Sequence, residues 1–442
     1  MKLSRTDFYS AKFLNNNKIF AKNCDYLFVA QQHLERHLLE SNINVAGQKG
    51  LIRKKQDGSQ IVSCKNSFDI FSKVPGTPQY WRVFRNELFA RMEQLGQFHF
   101  FFTLSSAEMK WPEVTISILH YEFSIDKVIY QQGWEENEDN IEIYFKGWEN
   151  DRSKIESLKK FKDTQKDKHK FYKDHFLLIT RLFDNRVKAF INNILIANED
   201  VEHFSYRIEF QVRGLPHLHG VFWLNEEKIQ NYKEGGQFHD AKVIELIDKY
   251  ISCSINTKDQ DLNKLVKEVN VHKHTKSCRK GNKICRFSFP RLPSDETLIA
   301  KPLSEDLIGK KRYQEKLNDA KSILDKVSKK LAEMSDEDLA NSSLKDILEH
   351  PDVNITKQEY HDALAISTKG SMVILKRRPN EMWVNNYNPI FLKAWQANMD
   401  IQFCMDSYAI ITYITDYLTK GDAGLTRELT KVIYSRLANI RD

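Results

Sequence analysis

The stretch from Tyr206 to Leu224 reads YRIEFQVRGLPHLHGVFWL and has two halves with different patterns of apolar and polar residues. In its first half every second residue is apolar, the period of a half-buried strand. Gly214 and Pro216 mark a chain reversal, and the second half is almost continuously apolar after its histidines. The pattern therefore predicts two strands joined by a tight turn, the second of them inside a sheet.

Similar patterns predict the elements around this hairpin. Helical periodicity occurs at Trp81–Leu95, Phe176–Ala197 and 306–366, and the apolar run Phe98–Leu104 predicts a central strand. Two further strands of the same sheet are expected at Ser371–Lys376 and Met399–Phe403. This order of segments predicts an α+β fold, in which helices back an antiparallel sheet.

The hairpin also carries candidate metal ligands. His217 and His219 are two residues apart, so a strand places both imidazoles on one face. Glu209 or Gln211 lies beside them once the two strands pair. Two imidazoles with one carboxylate or amide form a three-ligand site for a divalent metal, with open coordination positions. The alternative is a pair of histidines packed in a strand without a metal.

The segment from Met405 to Lys420 contains no Gly or Pro, and Gly421 follows it, so one helix is predicted to end there. Tyr413 and Tyr417 are four residues apart and Lys420 follows three residues later, so all three share one helix face. Tyrosines at this spacing are also typical of a core helix whose hydroxyls reach its rim. The residues alone leave both interpretations open.

Histidines and cysteines also cluster between Val271 and Arg291, where the sequence is VHKHTKSCRKGNKICRFSFPR. Such side chains are the ligands of tetrahedral zinc sites. The candidate zinc ligands are Cys253, His272, His274, Cys278 and Cys285. Their spacing matches no standard zinc finger, so a reduced loop without metal is an equal alternative.

Basic residues uninterrupted by acids surround this cluster, and phenylalanines are interleaved with them. This composition is typical of a surface that contacts phosphates and stacks on bases. The candidate nucleic-acid-binding residues come from this cluster and from the hairpin and are Arg213, Lys273, Lys276, Arg279, Lys280, Arg286 and Phe287. The alternative is a solvated basic loop around a small structural site.

Composition and charge exclude only a few classes of protein. The 442 residues are 41% hydrophobic and 29% charged, as in ordinary folded proteins, and the net charge of +7 is compatible with a polyanionic partner. The six cysteines are too sparse for a disulfide scaffold, which favours a reducing compartment. The first residues are polar and no apolar run is long enough to span a membrane, so we expect a soluble protein without a signal peptide.

Two spaced motifs resemble the replication-initiator-like domain of Helitron transposases. They are R-G-L-P-H-x-H at Arg213–His219 and Y-x-x-x-Y-x-x-K-G at Tyr413–Gly421, and Cys285–Pro290 and Asn385–Pro389 also resemble that family. These transposases are HUH endonucleases, named after two histidines that flank a hydrophobic residue. The resemblance, over roughly residues 20–425, implies an antiparallel-sheet core of the ferredoxin or RRM-like type with helical and zinc-like insertions.

The resemblance implies rolling-circle transposition, in which the protein cuts and rejoins single-stranded DNA. The implied ligands of Mg²⁺ or Mn²⁺ are His217, His219 and Glu209, with Gln211 as the alternative to Glu209. Tyr413 or Tyr417 would attack a phosphate and form a 5′-phosphotyrosine intermediate, and Lys420 would stabilise charge or orient the tyrosine. The expected partners are single strands of transposon ends and of target DNA, and the expected location is nuclear.

Complete Helitron transposases also carry a helicase, whose nucleotide site needs G-x-x-x-x-G-K-[ST], and this sequence has no such motif. We therefore expect unwinding by a separate helicase, or a truncated copy of the transposase. Two other functions stay open: an idle or domesticated nucleic-acid-binding module with a zinc-like site, and an iron oxygenase whose metal is held by two histidines and one carboxylate.

Composition and motifs together predict six regions along the chain. They are an N-terminal helical and loop region 1–75, the first part of the nuclease core 76–255 with a charged insertion 135–170, a basic Cys/His cluster 256–300, a helical insertion 301–368, the last core strands and tyrosine helix 369–425, and a tail 426–442.

Overall fold

A computed structural model confirms the predicted α+β fold, with helices packed on both faces of a four-stranded antiparallel sheet. Apart from single residues and two short strands before residue 78, the structure describes residues 78–108, 110–111, 113–114, 117–118, 175–210, 215–234, 237–238, 240–255, 257–274, 278, 285, 287–300, 309–367 and 372–412. The charged insertion 135–170 and the tail 426–442 lie outside these ranges.

Among the described residues, the strands belong to one main sheet and three two-stranded sheets. In chain order they are β1 (Ile52–Lys54), β2 (Gln60–Val62), β3 (Phe100–Ser105), β4 (Val201–Phe210), β5 (Pro216–Leu224), β6 (Lys233–Glu234), β7 (Gln237–Phe238), β8 (Leu298–Ala300), β9 (Met372–Ile374) and β10 (Met399–Phe403).

The α-helices surround the main sheet and form the insertion between β8 and β9. In chain order they are α1 (Pro78–Leu95), α2 (Phe176–Phe190), α3 (Glu226–Ile229), α4 (Asp240–Tyr250), α5 (Gln260–Leu265), α6 (Lys310–Glu333), α7 (Asp336–Asn341), α8 (Leu344–Leu348), α9 (Lys357–Ser367) and α10 (Pro389–Trp395). Helix α2 continues as a π-helical turn at Ile191–Leu195, and α5 continues as one at Val266–Asn270.

The main sheet has the strand order β10-β3-β5-β4, and each neighbouring pair is antiparallel. The predicted hairpin is β4 and β5, and β5 is an interior strand, as its apolar sequence indicates. Strand β3 is also interior, in agreement with the prediction for Phe98–Leu104. Because side chains alternate along a strand, the sheet presents two faces of different composition.

One face of the sheet is the main hydrophobic core. From β5 it carries Leu218, Phe222 and Leu224, which pack against apolar residues of α2, α4 and α10. The local sequence determines where α10 begins. The Asn388 side chain accepts hydrogen bonds from the N–H groups of Ile390 and Phe391, and Pro389 occupies the first turn. This face therefore explains the continuously apolar sequence of the interior strands.

The opposite face carries His217, His219, Val221 and Trp223 of β5, and we call it the histidine face. A smaller hydrophobic cluster covers its Val221–Trp223 end with residues of α1 and with Ile411. Helix α1 ends at Gly96, whose φ of +77° is a left-handed conformation that glycine adopts without strain. The two histidines lie on β5 just beyond this covered end.

One predicted strand belongs elsewhere. Residues of Ser371–Lys376 form β9, but β9 pairs with β8 in a separate two-stranded sheet and does not extend the main sheet. The prediction was wrong because a three-residue apolar run carries no information about its partner strand. The helices predicted within 306–366 are confirmed by α6 to α9, and Thr356 and Glu359 form a capping box before α9.

Within the described part of the chain, no helix combines the length and the apolar content that crossing a membrane requires.

Candidate metal centre and its surroundings

Glu209, His217 and His219 meet on the histidine face at the end of the β4–β5 hairpin. One ligand atom from each lies within 4.8 Å of the others. Glu209 is the register partner of His217, and its Oε1 lies 3.2 Å from Nε2 of His219. Metal bonds of about 2.1 Å place neighbouring octahedral ligands about 3 Å apart. The donor set and its spacing therefore fit a divalent cation.

Neighbouring side chains fix the orientation of both imidazoles. Ser105 on β3 is the register partner of His217, and its Oγ lies 3.2 Å from His217 Nδ1. This contact leaves Nε2 of His217 as the nitrogen for a metal. The His219 ring stacks on Phe101 with centroids 6.0 Å apart and is 2% exposed. The two histidine rings lie 4.8 Å apart, edge to face.

Two charged residues of the histidine face were missed by the sequence reasoning. Arg207 of β4 is the register partner of His219. Asp400 of β10 pairs with Thr103, which in turn pairs with His219, so the four residues form a row across the sheet. The alternation of apolar and polar residues along β4 indicates which face of the sheet carries Arg207. Only the register between β4 and β5 shows that Arg207 lies beside His219.

Asp400 is the second acidic group on this face. Gln402 Nε2 donates a hydrogen bond of 2.6 Å to its Oδ2, and burial raises the pKa of the Asp400 carboxyl. Its Oδ1 is buried without a hydrogen-bond partner among the described residues. Asp400 stands two strands away from His219 and is not part of the three-ligand group.

The predicted tyrosine helix begins on the histidine face. Residues 407–412 are helical and directly follow β10, and Ile411 is buried against Val221 and Trp223 of β5. The Tyr408 ring lies 5.3 Å from that of Phe89 on α1. The described start of this helix therefore packs on the sheet face that bears the histidines. The three residues that the sequence nominates for catalysis, Tyr413, Tyr417 and Lys420, lie outside the described residues.

A second group of metal-ligand type forms at His272, His274, Cys278 and Cys285. His274 Nδ1 lies 3.4 Å from Cys278 Sγ, and His272 Nε2 lies 3.5 Å from Cys285 Sγ. Both cysteines are buried thiols that form no disulfide. Tetrahedral zinc with Zn–S of about 2.3 Å and Zn–N of about 2.05 Å places sulfur and nitrogen ligands about 3.5 Å apart. The spacing fits zinc.

Cys253 does not join this group. Its thiol donates to the carbonyl of Lys376 at 3.1 Å, and burial raises its pKa. The structure thus brings together four of the five candidate zinc ligands. Sequence proximity placed Cys253 with the others, but the chain between them forms α5 and a π-helical turn that separate it from the loop.

Packing and hydrogen bonds hold the Cys/His loop to the segment before α10. His272 stacks on Phe289 with ring centroids 4.4 Å apart, and its N–H donates to the carbonyl of Trp383. Burial, together with the charges of His274 and Arg291, lowers the pKa of His272. A low pKa favours the neutral imidazole that binds a metal.

The structure describes two of the candidate nucleic-acid-binding residues. Lys273 is exposed, and Phe287 is 43% exposed with its ring 5.8 Å from that of His272. The remaining nominated positions lie outside the described residues and are Arg213, Lys276, Arg279, Lys280 and Arg286. Gln211, the alternative metal ligand, lies outside them too.

Comparison with known families agrees with the resemblance. Residues 15–222 match the family described as a Helitron helicase-like domain at the N-terminus. This range includes β3, β4 and most of β5, with all three residues of the candidate metal centre, and it ends before the Cys/His loop and β10. No curated protein matches the chain. Residues 15–222, just under half of the chain, are therefore similar to the Helitron helicase-like N-terminal family.

Proposed function

We propose that this protein is a metal-dependent endonuclease and strand transferase for single-stranded DNA, of the kind that Helitron transposases use. One observation supports the proposal most strongly. The helical residues 407–412, which precede Tyr413 and Tyr417 in the sequence, pack through Ile411 on the histidine face, the same face that carries Glu209, His217 and His219. The similarity to the Helitron family supports a Helitron-related role in the same direction.

The three-ligand group would bind Mg²⁺ or Mn²⁺, which when bound acts as a Lewis acid on a phosphate oxygen and orients the phosphate. Glu209 contributes the negative charge that a hard divalent cation favours. His217 is held by Ser105 and His219 by Phe101, so the ligands are preorganised before the cation arrives. Burial of His219 keeps bulk water away from one side of the site.

In the proposed reaction a tyrosine oxygen attacks the scissile phosphorus. The bond from tyrosine oxygen to phosphorus forms and the bond from phosphorus to the 3′-oxygen breaks. The phenol loses its proton, and the leaving 3′-oxygen takes one up to become a hydroxyl. One phosphoester is exchanged for another, so rejoining requires no nucleotide. Two tyrosines permit two linked cleavages, and Lys420 would stabilise the phosphate charge or orient a tyrosine.

Trapping of the covalent intermediate tests this proposal. The protein is incubated with labelled single-stranded oligonucleotides of varied sequence and Mn²⁺, and denaturing gels reveal a protein–DNA adduct. We expect an adduct with the wild type and none with the double variant Tyr413→Phe, Tyr417→Phe. Tyr408→Phe is the matched control, because Tyr408 is an exposed tyrosine at the start of the same helix. An undiminished adduct in the double variant would contradict the mechanism.

The same assay separates the two other functions. An idle nucleic-acid-binding module would bind the oligonucleotides and form no adduct with any of them. An iron oxygenase would bind Fe²⁺ at the same three residues and consume oxygen, without a need for tyrosines or DNA. The packing of the helix on the histidine face favours the nuclease over both.

We propose that the second group, at His272, His274, Cys278 and Cys285, binds a structural zinc ion. The two sulfur–nitrogen separations of 3.4 and 3.5 Å support this assignment. Zinc bound there would tie the loop to Phe289 and Trp383, which pack around it. The basic residues of the loop would then face single-stranded DNA, with a separate helicase unwinding duplex in the nucleus.

A further inference from the structure

We infer that Arg207 binds the scissile phosphate beside the metal centre and stabilises its charge during cleavage. This inference rests on the proposed function and adds a catalytic residue to it. No sequence motif in this chain nominates Arg207. Its position follows from strand pairing alone.

The register places Arg207 next to the metal ligands. Arg207 of β4 is the partner of His219 on β5, and Glu209 follows two residues later on the same face. Partner residues of antiparallel strands have Cβ atoms about 5 Å apart and project to the same side. The Arg207 side chain therefore leaves the sheet on the side on which a metal-bound phosphate would lie.

Contacts with α1 hold the guanidinium in a defined place. Its Cζ lies 3.9 Å from the centre of the Phe84 ring, a cation–π contact, and its Nη1 donates to the carbonyl of Tyr206 at 3.0 Å. Glu87 Oε2 lies 3.9 Å from Nη2, beyond hydrogen-bond distance. That hydrogen bond to Tyr206 is the one its guanidinium makes within the described part of the chain, so its other N–H groups keep donor capacity for a phosphate.

Exposure and charge fit a phosphate ligand. The Arg207 side chain is 39% exposed, whereas those of His219 and Glu209 are 2% and 9% exposed. Burial lowers the pKa of Arg207, but an arginine stays charged at neutral pH. In the transition state of phosphoryl transfer, negative charge grows on the phosphate oxygens. A fixed guanidinium beside the metal stabilises that charge without having to reorganise.

Four variants and three measurements test the inference. Arg207→Gln removes the charge, and Arg207→Lys keeps a point charge without the planar fork. Glu87→Gln removes the carboxylate near Arg207, and Arg181→Gln removes an exposed arginine from α2, on the opposite face of the sheet. The measurements are the affinity for Mn²⁺ alone, by titration calorimetry, the binding of a single-stranded oligonucleotide with and without Mn²⁺, and the rate of adduct formation with that oligonucleotide.

We expect Arg207→Gln to lower the adduct rate about 100-fold, as loss of one transition-state donor does elsewhere. Its affinity for Mn²⁺ stays the same or rises, because a like charge next to the cation is gone. Arg207→Lys recovers part of the rate, and Arg181→Gln matches the wild type. If Arg207 acts by binding the phosphate, Glu87→Gln keeps or raises the rate of adduct formation. If the ion pair between Glu87 and Arg207 is required instead, Glu87→Gln lowers that rate as Arg207→Gln does.

The outcomes distinguish this inference from the proposed function. A wild-type adduct rate in Arg207→Gln overturns the inference and leaves the function intact. Equal losses of Mn²⁺ affinity and adduct rate in Arg207→Gln also overturn it, because Arg207 would then only support the metal ligands. If the wild type forms no adduct, the proposed function fails, and oligonucleotide binding that requires both Mn²⁺ and Arg207 upholds only the contact between Arg207 and a phosphate. Absence of Mn²⁺-dependent binding in the wild type overturns both.

Discussion

Among individual residues, Glu209 is the one on which metal binding depends most directly. It is the negatively charged member of the three-ligand group, and it lies 3.2 Å from His219. We expect Glu209→Gln to weaken Mn²⁺ binding at least tenfold, about the lower limit seen when even an outer-shell partner of a ligand is lost. Glu202→Gln is the control, since Glu202 is an exposed acid on the same strand. Equal Mn²⁺ affinities of the two variants would show that Glu209 is not a ligand of the metal.

His99 gives a residue-scale prediction for pH. It is buried beside β5, its Nδ1 accepts a hydrogen bond from the Leu224 N–H, and burial together with Lys233 lowers its pKa to about 4. An unfolded histidine has a pKa of about 6.5, so acid protonates the unfolded chain first. The contribution of His99 is complete above pH 6.5 and is lost as the pH falls toward 4. The loss is about 3 kcal/mol of the free energy of unfolding.

Urea unfolding at several pH values checks the His99 prediction. His99→Gln should be less stable than the wild type near neutral pH but lose less stability on acidification. His203→Gln, which removes an exposed histidine of β4, is the control. Parallel pH profiles for the wild type and His99→Gln would show that other groups cause the acid sensitivity.

The sequence predicted the side chains of the metal group because strand alternation is local information. His217 and His219 share a face in any strand, and Glu209 and Gln211 share one on its neighbour. Only the pairing of Glu209 with His217 shows which of the two acceptors stands opposite the histidines. Arg207 was missed for the same reason, because its closeness to His219 depends on that register and not on any spacing in the sequence.

Among the elements, strand β5 packs closely on β3 at one glycine. Gly220 lies between the metal ligands and the apolar end of the strand, on the core face opposite Phe102 of β3. A Cβ at this position would come within 2.5 Å of the Phe102 ring, which is fully buried. We expect Gly220→Ala to lower the free energy of unfolding by about 1–3 kcal/mol, the usual cost of overpacking.

Thermal unfolding of a double variant checks the Gly220 prediction. Phe102→Leu removes the ring that a new methyl group would meet, so Gly220→Ala should cost less in that background than in the wild type. Additive losses in the double variant would show that the clash with Phe102 is not the cause.

Elements with strong periodicity were predicted well and short ones were not. The helix α1, the interior strands and the helical insertion all carry long apolar patterns. Strand β9 has three residues, and its partner β8 is more than seventy positions away, so the sequence wrongly assigned it to the main sheet. The helix after β10 was predicted from Met405 onward, and its described part begins at 407.

At the scale of the whole molecule, the proposed zinc links the Cys/His loop to the main sheet. The loop bonds to Met382 and Trp383, and Asn385 of the same segment donates to the carbonyl of Met399 at the start of β10. Removal of zinc should therefore lower the melting temperature and also slow adduct formation, because β10 precedes the segment that carries Tyr413 and Tyr417.

Metal analysis of cysteine variants checks the zinc prediction. We expect about one zinc per chain in the wild type and a loss of zinc in Cys278→Ser and Cys285→Ser. Cys253→Ser is the matched control, since a serine hydroxyl still donates to the Lys376 carbonyl. Zinc loss in Cys253→Ser, or full zinc in both of the other variants, would contradict the assignment.

The strand order of the main sheet has a consequence for dissecting the protein. Strand β3 pairs with β5 on one side and with β10, almost three hundred positions later, on the other. A fragment cut at the end of the family match would leave β3 with a bare row of amides and carbonyls, so we expect it to aggregate during purification. Supplying residues 223–442 as a second polypeptide in the same cells should restore solubility, because the missing strand needs no covalent connection to dock. We thus expect the segment that matches the family to need the later strand β10 for its own folding.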